Sequence, residues 1–568
     1  MILGIDLGTT NSLISYLNNN IAAAIPNAHG QFLTPSVVSI DEDDTVIVGA
    51  VARERLFTHP KTTVGSFKRL MGTQQTVSLG KKTFTPEELS ALVLRTLKAD
   101  AETHLGESVQ EVIISVPAYF NDAQRKSTRL AGELAGLKVI RLINEPTAAA
   151  LFHGIQDHEG EAKFLIFDLG GGTFDVSILE KFEGIMEVRA TGGDSFLGGD
   201  DFTQILVDLF MKKRVTGINA KPLSVNHQAA LRFACDNAKR RLSEAQATDI
   251  ELNVNGEILK INITLDEFET ACKPLMERLR TPIERALRDA RLKTADLDEV
   301  VLVGGSTRLP LVRKLVAQLF GRLPARYIDP DQTIALGAAV CAGLSEQNVA
   351  FEEVVLTDVC PHSLGTEVSD YNERNEYLGT SFMPIIERNT VVPASRVKTV
   401  VTAQDGQKVL KITVYQGESR DCKNNTLLET LEINVPAKPK GEVSANIRYT
   451  YDINGILEVD IDIDKTGLSK NLIIKKLAGN ISEEDIAKRR AMLAGLKIHP
   501  RDTEENRLAM ARADRLYEQY LGEEREQVSR LIGQFKAALE SQDNNTIAKA
   551  RAAFSHALDS MERGDTFW

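Results

Sequence analysis

The chain opens on an apolar run that stops at a carboxylate. Ile2, Leu3 and Ile5 lead into Asp6-Leu7-Gly8, two threonines follow, and the apolar pattern then resumes. The same order returns in "FLIFDLGGGTFDVS" at 164–177, where Phe164, Leu165, Ile166 and Phe167 lead into Asp168 and three glycines. Short apolar runs bounded by Gly-rich turns predict buried strands. Each stretch therefore predicts a β-hairpin, and the pair predicts an internal repeat. A third stretch, "VVLVGGSTRLPLVRKLVAQLF" at 300–320, predicts a buried strand feeding a helix through Gly304-Gly305. Leu311, Leu315, Val316 and Leu319 mark its apolar face. Between these stretches the pattern alternates. "VQEVIISVPAYFND" predicts a strand ending at Pro117, "AQRKSTRLAGELAGL" an amphipathic helix stopped by Gly136, and "KVIRLINEPTAAALFHG" a strand that becomes a helix after Pro146. Residues 1–350 read as α/β layers.

From about 351 the pattern changes. "FEEVVLTDVCPHS" sets Val354, Val355 and Leu356 among acidic residues and reads as a linker, 351–359, carrying a small apolar patch. Residues 360–480 are β-rich. "KTVVTAQDGQKVLKITVYQGE" predicts a hairpin around Asp405-Gly406, and "ANIRYTYDINGILEVDIDIDK" another around Asn454-Gly455. In the latter, Leu457, Val459, Ile461 and Ile463 alternate with acidic residues, which predicts a strand buried on one face and an antiparallel sandwich. Residues 481–568 switch to a period of 3.6. Ser482 with Asp485 resembles a capping box. Val528, Leu531, Ile532, Phe535, Ala538 and Leu539 form one stripe, and Ile547, Phe554, Leu558 and Met561 a second. Two antiparallel helices follow from them.

Charge and cysteine usage narrow the class. The net charge of −12 argues against nucleic acid as a main partner. The five cysteines show no C-x-x-C, so they read as free, buried thiols in a reducing compartment. No basic segment leads into an apolar one at the N-terminus, and no run reaches about 18 apolar residues, so the expectation is a cytoplasmic protein without a membrane span. His153 and His158 fall in a polar stretch, "FHGIQDHEGEAK", and read as solvated.

The Gly-rich turns carry the candidate chemistry. Glycines let backbone approach a ligand closely, and successive N–H groups in such turns form an anion site. An Asp at the strand end suits hydrated Mg²⁺, which takes oxygen ligands and keeps several waters. Each hairpin therefore resembles half of a phosphate clamp, and Gly304-Gly305 aims a helix start at the same kind of ligand. The chain lacks both the G-x-x-x-x-G-K-[ST] loop and a G-x-G-x-x-G opening a helix, so a nucleotide site here is neither of those types.

"GIDLGTTNS", "VPAYFNDAQR", "INEPTAAAL", "FDLGGGTFDVS", "GGDSFLGGDDF" and "VGGSTRLP" together resemble the DnaK-type heat-shock 70 kDa (Hsp70) chaperones over essentially the whole chain. The brief segment between "FKRLMG" and "KKTFTPEELSALVL" and the short C-terminal part are similar to the HscC-like branch. The resemblance implies an actin-like two-lobed α/β ATPase domain (1–350), an antiparallel β-sandwich peptide-binding domain (360–480) and a C-terminal α-helical lid (481–568). It implies ATP/ADP and Mg²⁺, with K⁺ as a further candidate ion. Gly8, Thr9, Thr10 and Asn11 would form the first phosphate loop, and Gly170, Gly171, Gly172 and Thr173 the second, with Gly198 and Gly199 beside it. Asp6, Asp168 and Glu145 would hold water around Mg²⁺. Lys68, Glu145, Asp168 and Thr173 would surround the attacking water. Asp236, Lys239, Arg240 and Ser243 match the adenosine-binding helix, where the family usually has Glu in place of Asp236. Gly304, Gly305, Ser306, Arg308 and Asp331 would line the base.

For the β domain the resemblance implies that Val400, Ala403, Leu410 and Ile412 line a peptide channel. Residue pattern alone makes Leu410 and Ile412 plain core. The segment 366–380 is longer and more polar than the family's loop, Val400 stands where Phe is common, and His362 replaces a usual Leu. Arg125, Arg141, Val355, Leu356 and Asp358 would couple the domains, with Arg141 at the position that meets a J-domain co-chaperone. Extended polypeptides are the implied clients, and the need for a nucleotide exchange factor stays open. Taken singly, Lys68 reads as a surface lysine, Glu145 as a strand end, and Asp236 with Lys239 as an exposed i,i+3 pair. A small-molecule kinase on the same two-lobed fold and an actin-like filament protein are the rival readings, and the kinase leaves 360–568 unexplained.

Overall fold

The computed structural model describes residues 1–41, 43–157, 161–182, 185–215, 222–324, 329–346, 355–372, 374, 376–453, 455–463, 468–473, 504–540 and 544–563. His158, Val354, Asn454 and the Ser482–Asp485 cap lie outside them.

The repeat read from the sequence is a repeat of sheets. Strand Ile2–Asp6 pairs antiparallel with Asn11–Asn18 and parallel with Glu111–Val116, which in turn pairs parallel with Lys138–Asn144. Strand Ala162–Leu169 pairs antiparallel with Phe174–Phe182 and parallel with Glu299–Val303. Each sheet thus sets a Gly-turn hairpin beside a parallel strand, so both turns emerge at equivalent sheet ends. Helices cover the sheets, because strands buried on both faces need apolar cover on each.

Helix Thr333–Ser345 packs against strand Ile2–Asp6 and helix Glu145–Asp157. Its first turns are nearly all buried small residues, Ala335, Gly337, Ala338 and Ala339. A Cβ on Gly337 would overlap the carbonyl oxygen of Ala148, and one on Gly4 the backbone of Ala338 and Ala339. The two halves meet where side chains are absent. Helix Glu145–Asp157 carries His153, which corrects the solvated reading. His153 is buried, with Nε2 2.7 Å from a Glu299 carboxylate oxygen and its ring edge-on to Phe164. Residues 153–157 continue the helix, and its inner face carries the imidazole against the second sheet.

Residues 360–473 form two four-stranded antiparallel sheets around one core that includes Leu364, Ile412, Val414, Ile447, Tyr449 and Ile461. The hairpin expected at Asp405-Gly406 does not form. Strand Ala394–Val401 pairs with Ser444–Tyr451, whereas Val409–Gln416 pairs with Leu364–Tyr371 and Thr426–Asn434 in the opposite sheet. The connection crosses between sheets. Its backbone groups bond to another loop, Thr402 N–H to Val443 O and Gly406 N–H to Lys438 O. The hairpin formed by Ser444–Tyr451 and Leu457–Ile463 stands as expected.

Residues expected as a linker instead extend the second sheet. Val355, Leu356 and Thr357 pair parallel with Ile185, Met186 and Glu187, and Asp358 pairs with Val392. Among the described residues the C-terminal part shows three helices where the sequence pattern predicted two: Glu504–Gln519, Gly522–Glu540 and Asn544–Arg563. The two expected stripes meet through Phe535 stacked on Phe554, with ring centroids 4.6 Å apart. The additional helix adds Ala509, Ala513 and Leu516 to their core. No helix among the described residues is long and apolar enough to cross a membrane.

The contact at Gly337 sets a prediction. Gly337→Ala forces helix Thr333–Ser345 away from Ala148, and overpacking of this kind costs about 1–3 kcal/mol. Urea unfolding should show a lowered midpoint, and an unchanged midpoint would contradict the close approach.

Candidate nucleotide site

Both hairpin turns open into one cavity of about 610 Å³. A Cβ on Gly171 would overlap Thr10 Oγ, so the two turns touch only because that position has no side chain. Gly8, Thr9, Thr10, Asn11, Gly170, Gly171 and Thr173 line the cavity. Gly172 and Gly198 pack behind it: a Cβ on Gly198 would meet the backbone of Gly171 and Gly172. The second turn is tied to the helix that follows it, Gly199 N–H to Gly170 O at 2.9 Å and Asp200 N–H to Gly171 O at 2.8 Å.

Charge is concentrated at the floor. Asp6 ends its strand and accepts a hydrogen bond from Ser115 Oγ at 2.9 Å. Lys68 Nζ donates to a Glu145 carboxylate oxygen at 2.9 Å, and both side chains are buried. Asp168 is buried, and its Oδ2 has no hydrogen-bond partner among the described residues. Burial, then the Glu145 charge, raises Asp6 to about 7 and holds Asp168 well above the usual carboxylate range. Four carboxyl groups, those of Asp6, Glu145, Asp168 and Asp175, share the Lys68 ammonium. An orphaned buried carboxylate oxygen at such a place suits a hard cation. Among the described residues no group of three His, Cys, Asp or Glu stands close enough to hold a bare ion. Both observations fit hydrated Mg²⁺ completed by ligand oxygens.

The far wall belongs to helix Val225–Arg241. Lys239 Nζ lies 2.9 Å from Asp236 and donates to Gly199 O and Thr203 Oγ1, so this i,i+3 pair is a built bridge between two helices. Burial pushes Asp236 upward, but Lys239 and then Arg240 outweigh it and hold the carboxyl below its usual range. Ser243 lines the same wall. At the base, Ser306 Oγ donates to Gly170 O at 2.8 Å, and Arg308 pairs with Asp331 at 2.7 Å. Gly304 takes φ 82° and leads into a 3₁₀ turn, so the helix expected directly after it starts only at Pro310.

Sequence reasoning missed several groups here. Asp175, the second Asp of the repeated motif, pairs in register with Asp168 and accepts Tyr119 N–H at 3.0 Å. The Lys68 turn is also clasped to the opposite wall. Ser66, in left-handed backbone at φ 57°, donates to Asp200 at 2.6 Å, and Arg69 pairs with Asp201 at 2.7 Å. "GGDD" at 198–201 was the available signal, but nothing local assigns its carboxylates to Arg69.

Two of the residues expected to couple the domains, Arg125 and Asp358, meet at Asn144. Arg125 is buried and donates to Asn144 Oδ1 at 2.6 Å, and Asn144 Nδ2 donates to Asp358 at 2.8 Å. Arg141 faces Cys341 Sγ at 3.8 Å. His362 Nε2 lies 3.0 Å from Tyr119 O, where the sandwich meets the α/β part. In the sandwich, Leu410 and Ile412 are 6% and 4% exposed and sit in its core, Val400 packs against that core, and Ala403 O accepts from the Tyr371 hydroxyl at 3.1 Å.

Comparison with known proteins decides the family. A model of the Hsp70 protein family matches residues 2–565. The chain belongs to the Hsp70 family. Chaperone protein DnaK of Thermosipho africanus is 40% identical over 501 residues, 86% of this chain and 82% of that protein. The DnaK of Thermotoga neapolitana is 41% identical over 500 residues, covering 85% and 82%. This Hsp70 is an ATP-dependent molecular chaperone and an ATPase, in which ATP binding and hydrolysis control the binding and release of polypeptide.

The carboxyl cluster predicts a pH dependence for the nucleotide-free, metal-free Hsp70. Burial, then Glu145, raises Asp175 from 3.8 to about 8. Between those values the native state holds a proton that the unfolded chain has released. Stability therefore falls as pH rises from about 4 toward 8. Asp175→Asn removes one such group and should flatten the fall in urea midpoint between about pH 5 and 8. An unchanged slope would contradict this.

Proposed function

We propose that the cavity between the two Gly-turns is the ATP hydrolysis site, with the residue roles that follow. The observation that carries the reading is the Lys68–Glu145 pair facing the unpartnered Asp168 oxygen beneath two converging turns. The backbone of Gly8–Asn11 and Gly170–Thr173 holds the phosphates. Asp236, Lys239, Arg240 and Ser243 take the adenosine, with Arg308 at its other side. Asp6 and Asp168 would hold Mg²⁺ through water, and the ion would supply positive charge against the phosphate oxygens. Phosphoryl transfer to water asks chiefly for positioning and electrostatic stabilisation. Lys68 meets the charge that develops on the transferred phosphoryl group. Glu145, Asp168 and Thr173 orient the attacking water.

The same reading divides the chain at 350, 360 and 480 into a two-lobed ATPase, a linker, a peptide-binding sandwich and a helical lid. Tyr371 reaching over to Ala403 O supports a covered channel along Val400, Ala403, Leu410 and Ile412. Extended polypeptide would enter once that cover opens. A J-domain co-chaperone would act at Arg141, next to the Asn144–Asp358 contact. The short segment 73–84 supports the HscC-like branch, and five buried free thiols support the cytoplasm.

Lys68→Ala should retain nucleotide binding and lose about 10²–10³-fold in single-turnover hydrolysis, as for loss of one preorganised donor. Because the substitution leaves Glu145 buried without its partner, Lys68→Met with Glu145→Gln serves as the neutral control. Wild-type rates in Lys68→Ala would remove this residue from the chemistry.

Strand 355–359 adds a second expectation. Val355→Asp with Leu356→Asp should unpair that strand from Ile185–Glu187. Basal hydrolysis and peptide binding in ADP would persist, while peptide would no longer stimulate hydrolysis and ATP would no longer speed peptide release. The two binding effects must fail together by linkage. Peptide release on ATP addition at the wild-type rate would make the linker a passive tether.

A further inference from the structure

The three-helix bundle lies on the α/β part, across the seam between its two halves. Helix Ala50–Thr58 belongs to the first half, and helix Val225–Arg241, whose Asp236, Lys239 and Arg240 wall the nucleotide cavity, to the second. These helices touch directly, with Phe57 edge-on to Phe233 at 6.1 Å. Helix Glu504–Gln519 packs over that junction. Its grip on the first half is broad. Leu508 and Ala511 join the core of Val37, Ile47, Val51 and Ala52, and Arg507 pairs with Asp41 at 3.0 Å.

Its hold on the second half is narrow and runs through Arg515. The Arg515 side chain is 6% exposed and pairs with Glu54 of the first half at 2.5 Å. Its guanidinium carbon stands 5.0 Å from the centre of the Phe233 ring, which is in the second half. Glu562 of the bundle's last helix completes its partners. Among the described residues the other polar tie is Asn253 Nδ2 donating to Glu518 O at 3.3 Å. Beyond these, a polar cleft of about 1210 Å³ separates the bundle from the second half, lined by Asn237, Arg241, Glu251, Arg525 and Arg530 among others. Apolar burial therefore fixes the bundle to one half, while one buried cation and one backbone carbonyl tie it to the other.

We propose that the bundle is a latch on nucleotide release: helix Glu504–Gln519 holds the helices Ala50–Thr58 and Val225–Arg241 together, so the bound nucleotide leaves only after the Arg515–Phe233 and Asn253–Glu518 ties part. This rests on the nucleotide-site reading above. Opening the cavity swings helix Val225–Arg241 away from helix Ala50–Thr58. Arg515 cannot follow both, because Glu54 and Phe233 stand on opposite sides of the seam. Apolar contact with the first half keeps the bundle in place when the ties break, so the latch can re-form without refolding. Parting a buried cation from an aromatic face removes a contact made only in the closed arrangement, and such losses act mainly on dissociation rates.

The test is release of a fluorescent ADP from the full-length chain, followed by stopped flow with excess unlabelled ATP. Arg515→Ala should speed release about tenfold, the size of a desolvated cation–ring contact, and Arg515→Lys should fall between the two. Asn253→Cys with Glu518→Cys, cross-linked under oxidation, should slow release below the wild-type rate and recover on reduction. The cross-linked form guards against a substitution that merely loosens the fold, since loosening cannot slow release. Unchanged release in both Arg515→Ala and the cross-linked pair overturns the latch while leaving the nucleotide site standing. Failure of the wild-type chain to bind the labelled ADP overturns the site reading itself.

Discussion

Four carboxyl groups around one buried ammonium are the constraint on which this molecule turns. Asp6, Glu145, Asp168 and Asp175 converge where two sheet ends meet, and Lys68 is the cation among them. Taking charges out of water is costly unless they are paired. Burial therefore keeps protons on these carboxyls that water would remove, and one Asp168 oxygen has no partner among the described residues. A ligand that brings positive charge and phosphate oxygens relieves that state. The geometry that makes the site uncomfortable alone also makes it receptive.

The convergence depends on residues that are absent. The halves approach along helix Thr333–Ser345 because Gly337 and Gly4 present no side chain, and the turns approach because Gly171 presents none. Small residues at the crossing bring backbone against backbone, which fixes the distance between the sheet ends. Interiors packed to this density transmit displacement rather than absorb it. Movement of one half relative to the other is consequently felt at Lys68, whose turn is clasped across the cleft by Ser66–Asp200 and Arg69–Asp201.

The rest of the chain is attached at or beside the seam between the halves. The strand at Val355–Val359 extends the second sheet, and Asp358 reaches Asn144 on the first. Arg388 of the sandwich makes a two-pronged pair with Asp289, and Glu418 accepts from the same guanidinium. The bundle grips the first half and touches the second. The sandwich and the bundle are thus both attached at or beside the seam between the two halves, through polar contacts at Asp358 and Arg388 and through apolar burial at Leu508 and Ala511.

The sequence by itself determined the local elements and the chemistry of the turns. Apolar runs ending at Asp6 and Asp168 marked the hairpins, the alternation at 457–463 marked a half-buried strand, and the stripes at 528–539 and 547–561 marked helices. Such features follow from backbone sterics and side-chain period, which act over a few residues. Tertiary structure decided everything that depends on partners far along the chain. Asp405-Gly406 has the composition of a hairpin turn, yet its flanking strands enter opposite sheets, because strand pairing is chosen by the best apolar face available and not by the turn alone. His153 looked solvated in a polar stretch and is buried beside Glu299, 146 residues away. Arg69 and Arg515 each meet a carboxylate more than 130 residues distant. A charge announces itself in a sequence, but its partner is set by the fold, since the energy of the pair depends on distance and on the water excluded around it.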